Sequence, residues 1–270
     1  MAPHPVAQPT RFAGESWRTA MKMHSRAVGA VVMRDIQTRF GASYAGFLLG
    51  LIMPLGHLGA TLIAMAILAA TPPIGPDIAT FLMTGILPFI LWLYCHKQVM
   101  ISLVQNRPLL YFPGVDPFDL IFARMIVEIP TATLVVIIVM ATVAIFGYGS
   151  MPANFFGFVA ALGQAWLLGI GTGLVVGGLS AFWHPFLIAG SLIAPLLWAT
   201  SGIIYLPDRL PDTVRDILWY FPLCQIVNEL RSAYFSEYYS TFTDGQVPLF
   251  FILGTLTVGM TMLPIIRKVT

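Results

Sequence analysis

Six long runs of apolar residues constrain the fold of this chain more than any other feature of its sequence. The runs cover residues 46–70, 78–99, 126–147, 154–181, 185–206 and 247–266. A helix needs about 20 apolar residues to cross the hydrocarbon core of a bilayer. Charged residues make up only 10% of the chain, which is too few to cover the surface of a soluble domain. The sequence therefore predicts an all-α polytopic membrane protein with six transmembrane helices.

The positions of the lysines and arginines predict how these helices are oriented. The cations ahead of the first run are Arg11, Arg18, Lys22, Arg26, Arg34 and Arg39. Those around the second and third runs are Lys97, Arg107 and Arg124, and those after the last are Arg267 and Lys268. Residues 71–77 and 148–153, on the other side, contain neither lysine nor arginine. Because cytoplasmic loops carry the excess of cations, we expect both termini in the cytoplasm.

Residues 16–45, ahead of the first run, have the pattern of an amphipathic helix, with apolar side chains on one side and cations on another. The apolar positions are Trp17, Met21, Val28, Val31 and Val32, and the cations are Arg18, Lys22 and Arg26. We expect an interface helix at the cytoplasmic membrane surface, with a solvated linker as the alternative. Residues 1–15 contain no apolar stretch and are interpreted as a disordered tail, and residues 46–268 as the transmembrane domain.

Residues 207–246, between the fifth and sixth runs, are predicted to lie outside the cytoplasm. Ile226, Leu230 and Tyr234 fall at four-residue spacing on one apolar face, and Arg231 flanks that face. We interpret this region as one or two short re-entrant amphipathic helices that lie on the outer leaflet or dip into it. An ordinary folded loop is the alternative.

The apolar runs lack the motifs of intramembrane catalysis and ion coupling. They contain no HExxH and no GxSxG sequence, and no acid deep in the bilayer. A GxxxxGK[ST] loop is absent from the chain, so it does not bind ATP through that fold. The net charge of +2 does not indicate nucleic acid as a partner. We expect a chain that is not an enzyme and holds no metal or cofactor. A membrane enzyme or a structural scaffold is the alternative from another class.

Polar and small residues inside the runs have structural explanations. We expect His57 to form a hydrogen bond in a helix contact, with a proton relay as the alternative. Glu128 is expected to meet Arg124, one turn away, unless it has a functional role. A ridge of small residues in the fourth run consists of Gly169, Gly173 and Gly177. Such a ridge permits close helix packing, and the wall of a substrate pathway is the alternative.

Several segments together resemble one family of membrane proteins. They are residues 33–47 followed by Pro54, Asn106-Arg107-Pro108, Asp116-Pro117-Phe118-Asp119, Phe221-Pro222-Leu223 and residues 229–235. They resemble the permeases of type 2 ABC exporters, and specifically those that export capsular polysaccharide, the KpsM, BexB and CtrC group. The resemblance covers about residues 16–268 of the chain.

This resemblance implies a homodimeric permease with six helices in each copy, joined to two copies of a separate ATPase subunit. ATP and Mg²⁺ would bind to that ATPase and not to this chain. The connection at residues 104–124 would carry a short coupling helix that docks on the ATPase. The residues implied in this coupling role are Asp116, Pro117, Phe118, Asp119, Leu120 and Phe122.

The coupling role also has a physical rationale in the residues themselves. Asp116 or Asp119 can cap the start of a helix, because each side chain offers an acceptor to the free backbone N–H groups there. Phe118 and Phe122 stand four residues apart and would form an apolar knob on one helix face. A short interfacial connector without a docking role is the alternative.

The resemblance implies a long acidic polysaccharide on a lipid anchor as the substrate, exported across the bacterial inner membrane. The basic residues that would meet a lipid phosphate or acidic sugar are Arg34, Arg39 and Lys97, with anchoring to headgroups as the alternative. The tryptophans that would line a glycan pathway are Trp92, Trp166, Trp183 and Trp198, with packing as the alternative. A periplasmic polysaccharide co-polymerase and an outer-membrane export protein would be further partners. Exporters of O-antigen, teichoic acid or small molecules are the nearest rivals.

Overall fold

The computed structural model describes residues 17–37, 44–68, 70–111, 115–149 and 151–269. These residues form nine α-helices, two short 3₁₀ turns and the loops that connect them, and no strand occurs among them. The helices are α1 Trp17–Ile36, α2 Tyr44–Ile67, α3 Ile78–Gln105, α4 Pro117–Ile145, α5 Phe155–Phe182, α6 Pro185–Thr200, α7 Asp212–Trp219, α8 Pro222–Tyr234 and α9 Gln246–Val269. The 3₁₀ turns are Arg107–Tyr111 and Pro207–Arg209. The all-α prediction is confirmed, and the predicted tail at residues 1–15 lies outside the described residues.

Four helices in the described part of the chain are long and apolar enough to cross a membrane: α3, α4, α5 and α9. The described side chains of α2 begin at Leu55, and α6 has only 16 residues. At 1.5 Å per residue α6 is about 24 Å long, which is shorter than the hydrocarbon core of about 30 Å. A multi-pass membrane protein is therefore confirmed, while six crossings and cytoplasmic termini stay predictions.

Two helices extend well beyond the apolar runs that predicted them. α3 continues from residue 99 to Gln105, and α4 begins at Pro117 instead of residue 126. The limits of an apolar run are drawn near charged residues, here Lys97 and Arg124, whereas a helix continues beyond them as long as its backbone bonds are made. Both helices therefore project from the α1 end of the bundle.

α3 forms the centre of the bundle and is buried along most of its length, with Phe81, Leu87 and Trp92 almost inaccessible. The glycine ridge of α5 packs directly on the α3 backbone. A Cβ built on Gly169 or Gly173 would lie 2.7 Å from a carbonyl oxygen of α3, and one on Gly177 would lie 2.9 Å from another. No larger side chain fits at these contacts, so the prediction that the ridge serves close packing is confirmed.

The fifth apolar run is a helix only in its first part. α6 ends at Thr200, and residues 201–206 continue without helical structure although Ser201, Ile203 and Leu206 are buried. Irregular backbone at membrane depth is tolerated where the protein itself satisfies its polar groups. Arg231 does so, because its guanidinium donates hydrogen bonds to three carbonyls of this segment. They belong to Gly202 at 2.7 Å, Ile203 at 2.9 Å and Tyr205 at 3.0 Å.

The region predicted to contain re-entrant helices forms α7, α8 and a compact loop. α7 lies at the surface, whereas α8 is mostly buried and packs against α3, α5 and α9. The expectation that Arg231 flanks an interfacial face is wrong, because its side chain is fully buried with its guanidinium carbon 4.1 Å from the centre of the Phe81 ring. The depth of α8 in the membrane stays a prediction.

The loop after α8 is held by the carboxylate of Asp208. Three hydroxyls and two backbone N–H groups donate hydrogen bonds to it. The donors are Tyr238 Oη at 2.5 Å, Ser240 Oγ at 2.8 Å, Thr241 Oγ1 at 3.0 Å, and the amides of Thr241 and Phe242 at 3.1 Å. Arg209 ties the same region to the α2–α3 connection, donating to the carbonyl of Pro73 at 2.7 Å. A network of polar contacts therefore holds the loop in place at this end of the bundle.

Candidate functional site

The candidate coupling residues form the first turns of α4 and not a separate short helix. Asp116 is the N-cap of α4, and Pro117 follows at the first helical position. The capping box is complete, because Asp116 accepts from the helix backbone and the Asp119 carboxylate accepts from the Asp116 N–H at 2.7 Å. These bonds fix the start of a continuous helix of 29 residues.

Phe118 and Phe122 are exposed at this capped start. Their side chains are 36% and 47% exposed, whereas Asp119 and Leu120 between them are buried. The spacing of four residues places both rings on one helix face. We call this pair the aromatic knob. It is an apolar surface at the α1 end of the bundle, on a helix start that the capping box fixes, and a docking contact requires such a surface.

α1 packs against the opposite side of the α4 start. Val28 and Val31 of α1 form an apolar cluster with Leu120 and Ala123 of α4. His24 hydrogen-bonds to the Asp119 carboxylate, and its ring meets the ring of Phe122 edge-on with centroids 5.7 Å apart. His24 of α1 is therefore in direct contact with the knob, which the periodicity of α1 alone did not indicate.

Two further polar contacts connect α1 to the same end of the bundle. Arg124 donates a hydrogen bond to the carboxylate of Asp35 at 2.9 Å, and both side chains are buried. Arg34 donates to the side-chain oxygen of Asn106 at 3.3 Å. The expected contact of Arg124 with Glu128 stays a prediction, and the Asp35 contact was not found from the sequence.

The three basic residues predicted to meet the substrate are placed differently from one another. Arg34 is exposed on α1 beside its contact with Asn106, at the connection that follows α3. Lys97 is exposed on α3, two turns before that helix ends. Arg39 lies outside the described residues. A role of these residues in holding an anionic substrate stays a prediction.

The four predicted pathway tryptophans do not share one surface. Trp92 is fully buried, stacks on His96 with ring centroids 5.1 Å apart, and donates to Thr172 Oγ1 at 3.3 Å. Trp166 is partly buried on α5, and Trp183 is 63% exposed at the end of that helix. In this single chain Trp92 is a core residue, and a pathway role for any of the four stays a prediction.

Trp198 forms a specific polar contact between helices. Its indole N–H donates to Nε2 of His57 at 2.8 Å, and the His57 ring lies 5.7 Å from that of Phe89. His57 is thus hydrogen-bonded in a contact between α2 and α6, as the sequence predicted. The sequence did not identify Trp198 as its partner, since the two residues are 141 positions apart.

The chain is similar over nearly its whole length to capsule export proteins, although no family profile matches it. It is 28% identical over 257 residues, 94% of each chain, to the capsule polysaccharide export inner-membrane protein CtrC of Neisseria meningitidis serogroup B. It is 23% identical over 247 residues to BexB of Haemophilus influenzae, which bears the same description, covering 92% of this chain and 93% of the relative.

A third relative is the polysialic acid transport protein KpsM of Escherichia coli, 28% identical over 251 residues that make up 91% of this chain and 95% of the relative. These similarities confirm the resemblance found in the sequence. Together with the long apolar helices, they also confirm the expected multi-pass inner-membrane localisation.

Proposed function

We propose that this relative of the capsule polysaccharide export inner-membrane proteins is the transmembrane subunit of an ATP-driven exporter that moves lipid-linked capsular polysaccharide across the bacterial inner membrane. The observation that carries the proposal is the similarity over more than nine-tenths of the chain to CtrC, BexB and KpsM. A transport role is supported by these relatives, which are export and transport proteins. The ATP-driven mechanism and the lipid-linked form of the cargo are proposed.

The energy for export comes from a separate ATPase that binds ATP and Mg²⁺. This chain has no phosphate-binding loop, and its aromatic knob offers an apolar docking contact in the aqueous space beyond the bundle. Exposed aromatic side chains on a rigid base are typical of residues that dominate binding between proteins. Phe118 and Phe122 therefore enter a groove of the ATPase, while the capping box keeps them in place.

Movement of the ATPase reaches the membrane through α4. The knob and the membrane-crossing part belong to one continuous helix of 29 residues, about 43 Å long, so a displacement at the knob reaches the membrane-crossing part. His24 and Asp35 couple α1 to the same helix. In this mechanism, α1 and α4 move together when the ATPase closes and opens.

A second copy of the chain completes the transporter. α2 presents the exposed small residues Gly56, Ala60 and Ala64 at four-residue spacing, and a Cβ on Gly56 would meet no atom within 4 Å. This is the pattern that lets membrane helices approach closely. Beside it α6 presents the exposed residues Ile188, Leu192 and Leu196, which gives each copy a two-helix face for the homodimer.

Anionic cargo enters at the α1 end in this proposal. Arg34, Arg39 and Lys97 bind the lipid phosphate or the first acidic sugars, since a guanidinium offers paired hydrogen bonds to such groups. Trp166, Trp183 and Trp198 contact sugar rings only if the second copy turns their faces toward a shared path. A periplasmic co-polymerase and an outer-membrane export protein then receive the polysaccharide.

The docking contact is tested by replacing both knob residues. We expect Phe118→Ala with Phe122→Ala to insert normally but to lose most of the ATPase that co-purifies with the wild-type protein, and with it ATP-dependent export. The matched control is Phe155→Ala with Phe156→Ala, two exposed aromatics at the other end of the bundle, 61% and 85% accessible. Export and co-purification at the wild-type level in the knob variant would refute the docking role.

The dimer face is tested by disulfide crosslinking in the membrane. A cysteine at Ala60 is expected to crosslink two copies, whereas one at Ile137, which is exposed on α4, is not. Equal crosslinking of both variants would contradict the proposed face.

The cargo is identified by the lipid-linked glycan that accumulates in a deletion strain. If O-antigen or teichoic acid precursors accumulate there, the cargo is that glycan and not capsular polysaccharide.

A further inference from the structure

Three adjoining cavities lie at the end of the bundle opposite α1. The first, of about 500 Å³, lies between α2, α3 and α4. The second, of about 350 Å³, lies where α3 and α4 meet the turn before α5. The third, of about 570 Å³, lies between the α2–α3 connection, that same turn and the chain after α8. We call them the groove, the middle cavity and the rim cavity.

The three cavities form one continuous path because neighbouring ones share wall residues. Val143 and Tyr148 line both the groove and the middle cavity. Gly149, Met151 and Tyr234 line both the middle and the rim cavity. A single elongated molecule that follows the turn between α4 and α5 therefore touches all three.

The path changes from apolar to polar along its length. Leucine, isoleucine, valine and methionine side chains dominate the groove and the middle cavity, for example Leu58, Leu62 and Met140. Asp77 also lines the groove, but its carboxylate already accepts hydrogen bonds from the N–H and the hydroxyl of Thr80, both at 2.7 Å. In the rim cavity the polar side chains are Thr80, Tyr234, Ser236 and Glu237. This gradient is the complement of an amphipathic lipid, with an acyl chain in the apolar part and the headgroup at the rim.

An acyl chain is the natural occupant of the apolar part. Apolar cavities of this kind do not hold ordered water, because water needs several polar partners. The groove is bounded by α3 and α4, which are both long and apolar enough to cross the membrane, so bilayer lipids surround it. A Cβ on Gly59, which lines the groove, meets no atom within 4 Å, so the space beside α2 is open.

The charges at the rim select the headgroup. Glu237 is exposed and contributes a carboxylate to the rim cavity, and no lysine, arginine or histidine is found among the described residues of its lining. The guanidinium of Arg209 is held at Pro73, in the connection that also supplies Gly75 and Pro76 to the lining. One acid at the cavity and one base on its border complement a zwitterionic headgroup with an amine, and an anionic headgroup without an amine is disfavoured.

We propose that this path is a binding site for phosphatidylethanolamine, with an acyl chain in the groove and middle cavity and the ammonium group at Glu237. The site requires only that the helices cross a membrane, so it is independent of the proposed export function. It is a resident lipid site and is separate from the entry for anionic cargo at the α1 end.

The occupant of the groove is tested with the purified full-length protein, delipidated in detergent and then mixed with phosphatidylethanolamine or phosphatidylglycerol. Native mass spectrometry counts the bound lipids. Gly59→Leu fills the groove and is expected to lower phosphatidylethanolamine binding about tenfold, since burial of several methylene groups is lost. Gly254→Leu is the matched control, because a Cβ at Gly254 on α9 also meets no atom within 4 Å.

The headgroup contact is tested with Glu237→Gln. The wild-type protein is expected to prefer phosphatidylethanolamine about tenfold over phosphatidylglycerol, and the variant to lose this preference while still binding lipid, because one charge-assisted hydrogen bond is removed. Equal binding of both lipids by the wild-type protein would overturn the proposal, and so would unchanged binding in Gly59→Leu. A variant Gly59→Leu that binds lipid normally but no longer dimerises would show that a second copy fills the groove.

Discussion

The guanidinium of Arg124 donates a hydrogen bond of 2.9 Å to the carboxylate of Asp35, and the two side chains are only 7% and 9% exposed. The pair joins α1 to α4 across 89 residues of sequence. Arg124 lies two residues after Phe122, so the same helix segment carries the aromatic knob on one side and the ion pair on the other. α1 is thereby fixed to the element that we propose receives the ATPase.

We expect the single replacement Asp35→Ala to destabilise the protein strongly. Removing one partner of a buried ion pair leaves the other charge buried, at a cost of about 3–5 kcal/mol. The double replacement Asp35→Leu with Arg124→Met is expected to regain most of that loss, because two apolar side chains need no partner. Thermal unfolding in detergent, followed by fluorescence, measures both effects.

The matched control for this prediction is the exposed pair of Arg215 and Asp212 on α7. Its atoms are 2.7 Å apart, but its side chains are 37% and 82% exposed. Asp212→Ala is expected to change the stability by less than about 1 kcal/mol, because water screens such pairs. If Asp35→Ala unfolds at the same temperature as Asp212→Ala, the buried pair does not hold α1 in place.

The features that depend on neighbours in sequence were predictable, and those that depend on distant residues were not. The spacing of Phe118 and Phe122 indicated a knob, and residue type alone limited the N-cap to Asp116 or Asp119. Arg124 was matched with Glu128 because helical periodicity reaches only four residues along the chain. Its partner Asp35 lies on another helix, and no local pattern connects the two.

The fifth apolar run shows a second limit of sequence reasoning. Residues 185–206 contain no charged residue and are mostly apolar, so hydropathy alone predicts one unbroken helix. The helix nevertheless ends at Thr200, because Gly202 follows the cap residue Ser201 with a positive φ of 74°. The guanidinium of Arg231 then satisfies carbonyls of the segment beyond the helix. An arginine close to an apolar stripe is expected at an interface, and its burial here depends on a fold that brings carbonyls around it.

The glycine ridge of α5 predicts a position-specific effect of one methyl group. A Cβ at Gly173 would lie 2.7 Å from the carbonyl oxygen of His96 and 2.9 Å from Cβ of Val99, and neither atom is at the end of a flexible side chain. Gly173→Ala is therefore expected to lower the free energy of unfolding by about 1–3 kcal/mol, because the added methyl group overpacks the contact. Gly163→Ala, on the same helix where a Cβ meets no atom within 4 Å, is expected to be neutral or slightly stabilising.

Thermal unfolding of the two alanine variants in the same detergent gives this comparison directly. Because both replace glycine by alanine within α5, helix propensity contributes equally to them. A Gly173→Ala variant as stable as Gly163→Ala would mean that α3 and α5 are further apart than the structure has them.

The loop after α8 should lose its order at low pH because of Asp208. Burial alone would raise the pKa of this carboxyl, but the hydrogen bonds from three hydroxyls and from the Phe242 N–H lower it more, so the pKa lies below its ordinary value. Because the pKa of Asp208 is lower in the folded protein than in the unfolded one, its ionised carboxylate stabilises the folded loop at pH values above the unfolded pKa of about 4. This stabilisation is lost as the pH falls through the pKa of the folded protein.

Hydrogen-exchange protection factors of residues 238–242 measure this effect. They are expected to fall with acidification below about pH 4 in the wild-type protein. They are expected to be low already at neutral pH in Asp208→Asn, which lacks the charged acceptor. Asp212→Asn, an exposed acid in the same region, should match the wild type. Protection that does not change in Asp208→Asn would show that the loop is held by its apolar contacts instead.

We expect that replacing Arg231 exposes residues 201–206, the end of the fifth apolar run. Arg231→Met keeps a similar volume but leaves three buried carbonyls without a donor. We therefore expect the free energy of unfolding to fall by more than about 3 kcal/mol. Arg231→Lys should rescue little, because an ammonium group cannot reproduce a planar fork that bonds Gly202, Ile203 and Tyr205 at once.

A native cysteine reports on this opening. Cys224 is fully buried, and a Cβ on Gly202 would lie 3.7 Å from its sulfur, so the thiol faces the segment that Arg231 holds. We expect a maleimide to label Cys224 rapidly in Arg231→Met and slowly in the wild type, while Cys95, which is buried in α3, stays protected in both. Arg215→Met removes an exposed guanidinium and is the matched control. Cys224 that stays protected in Arg231→Met would mean that residues 201–206 keep their buried course without the arginine.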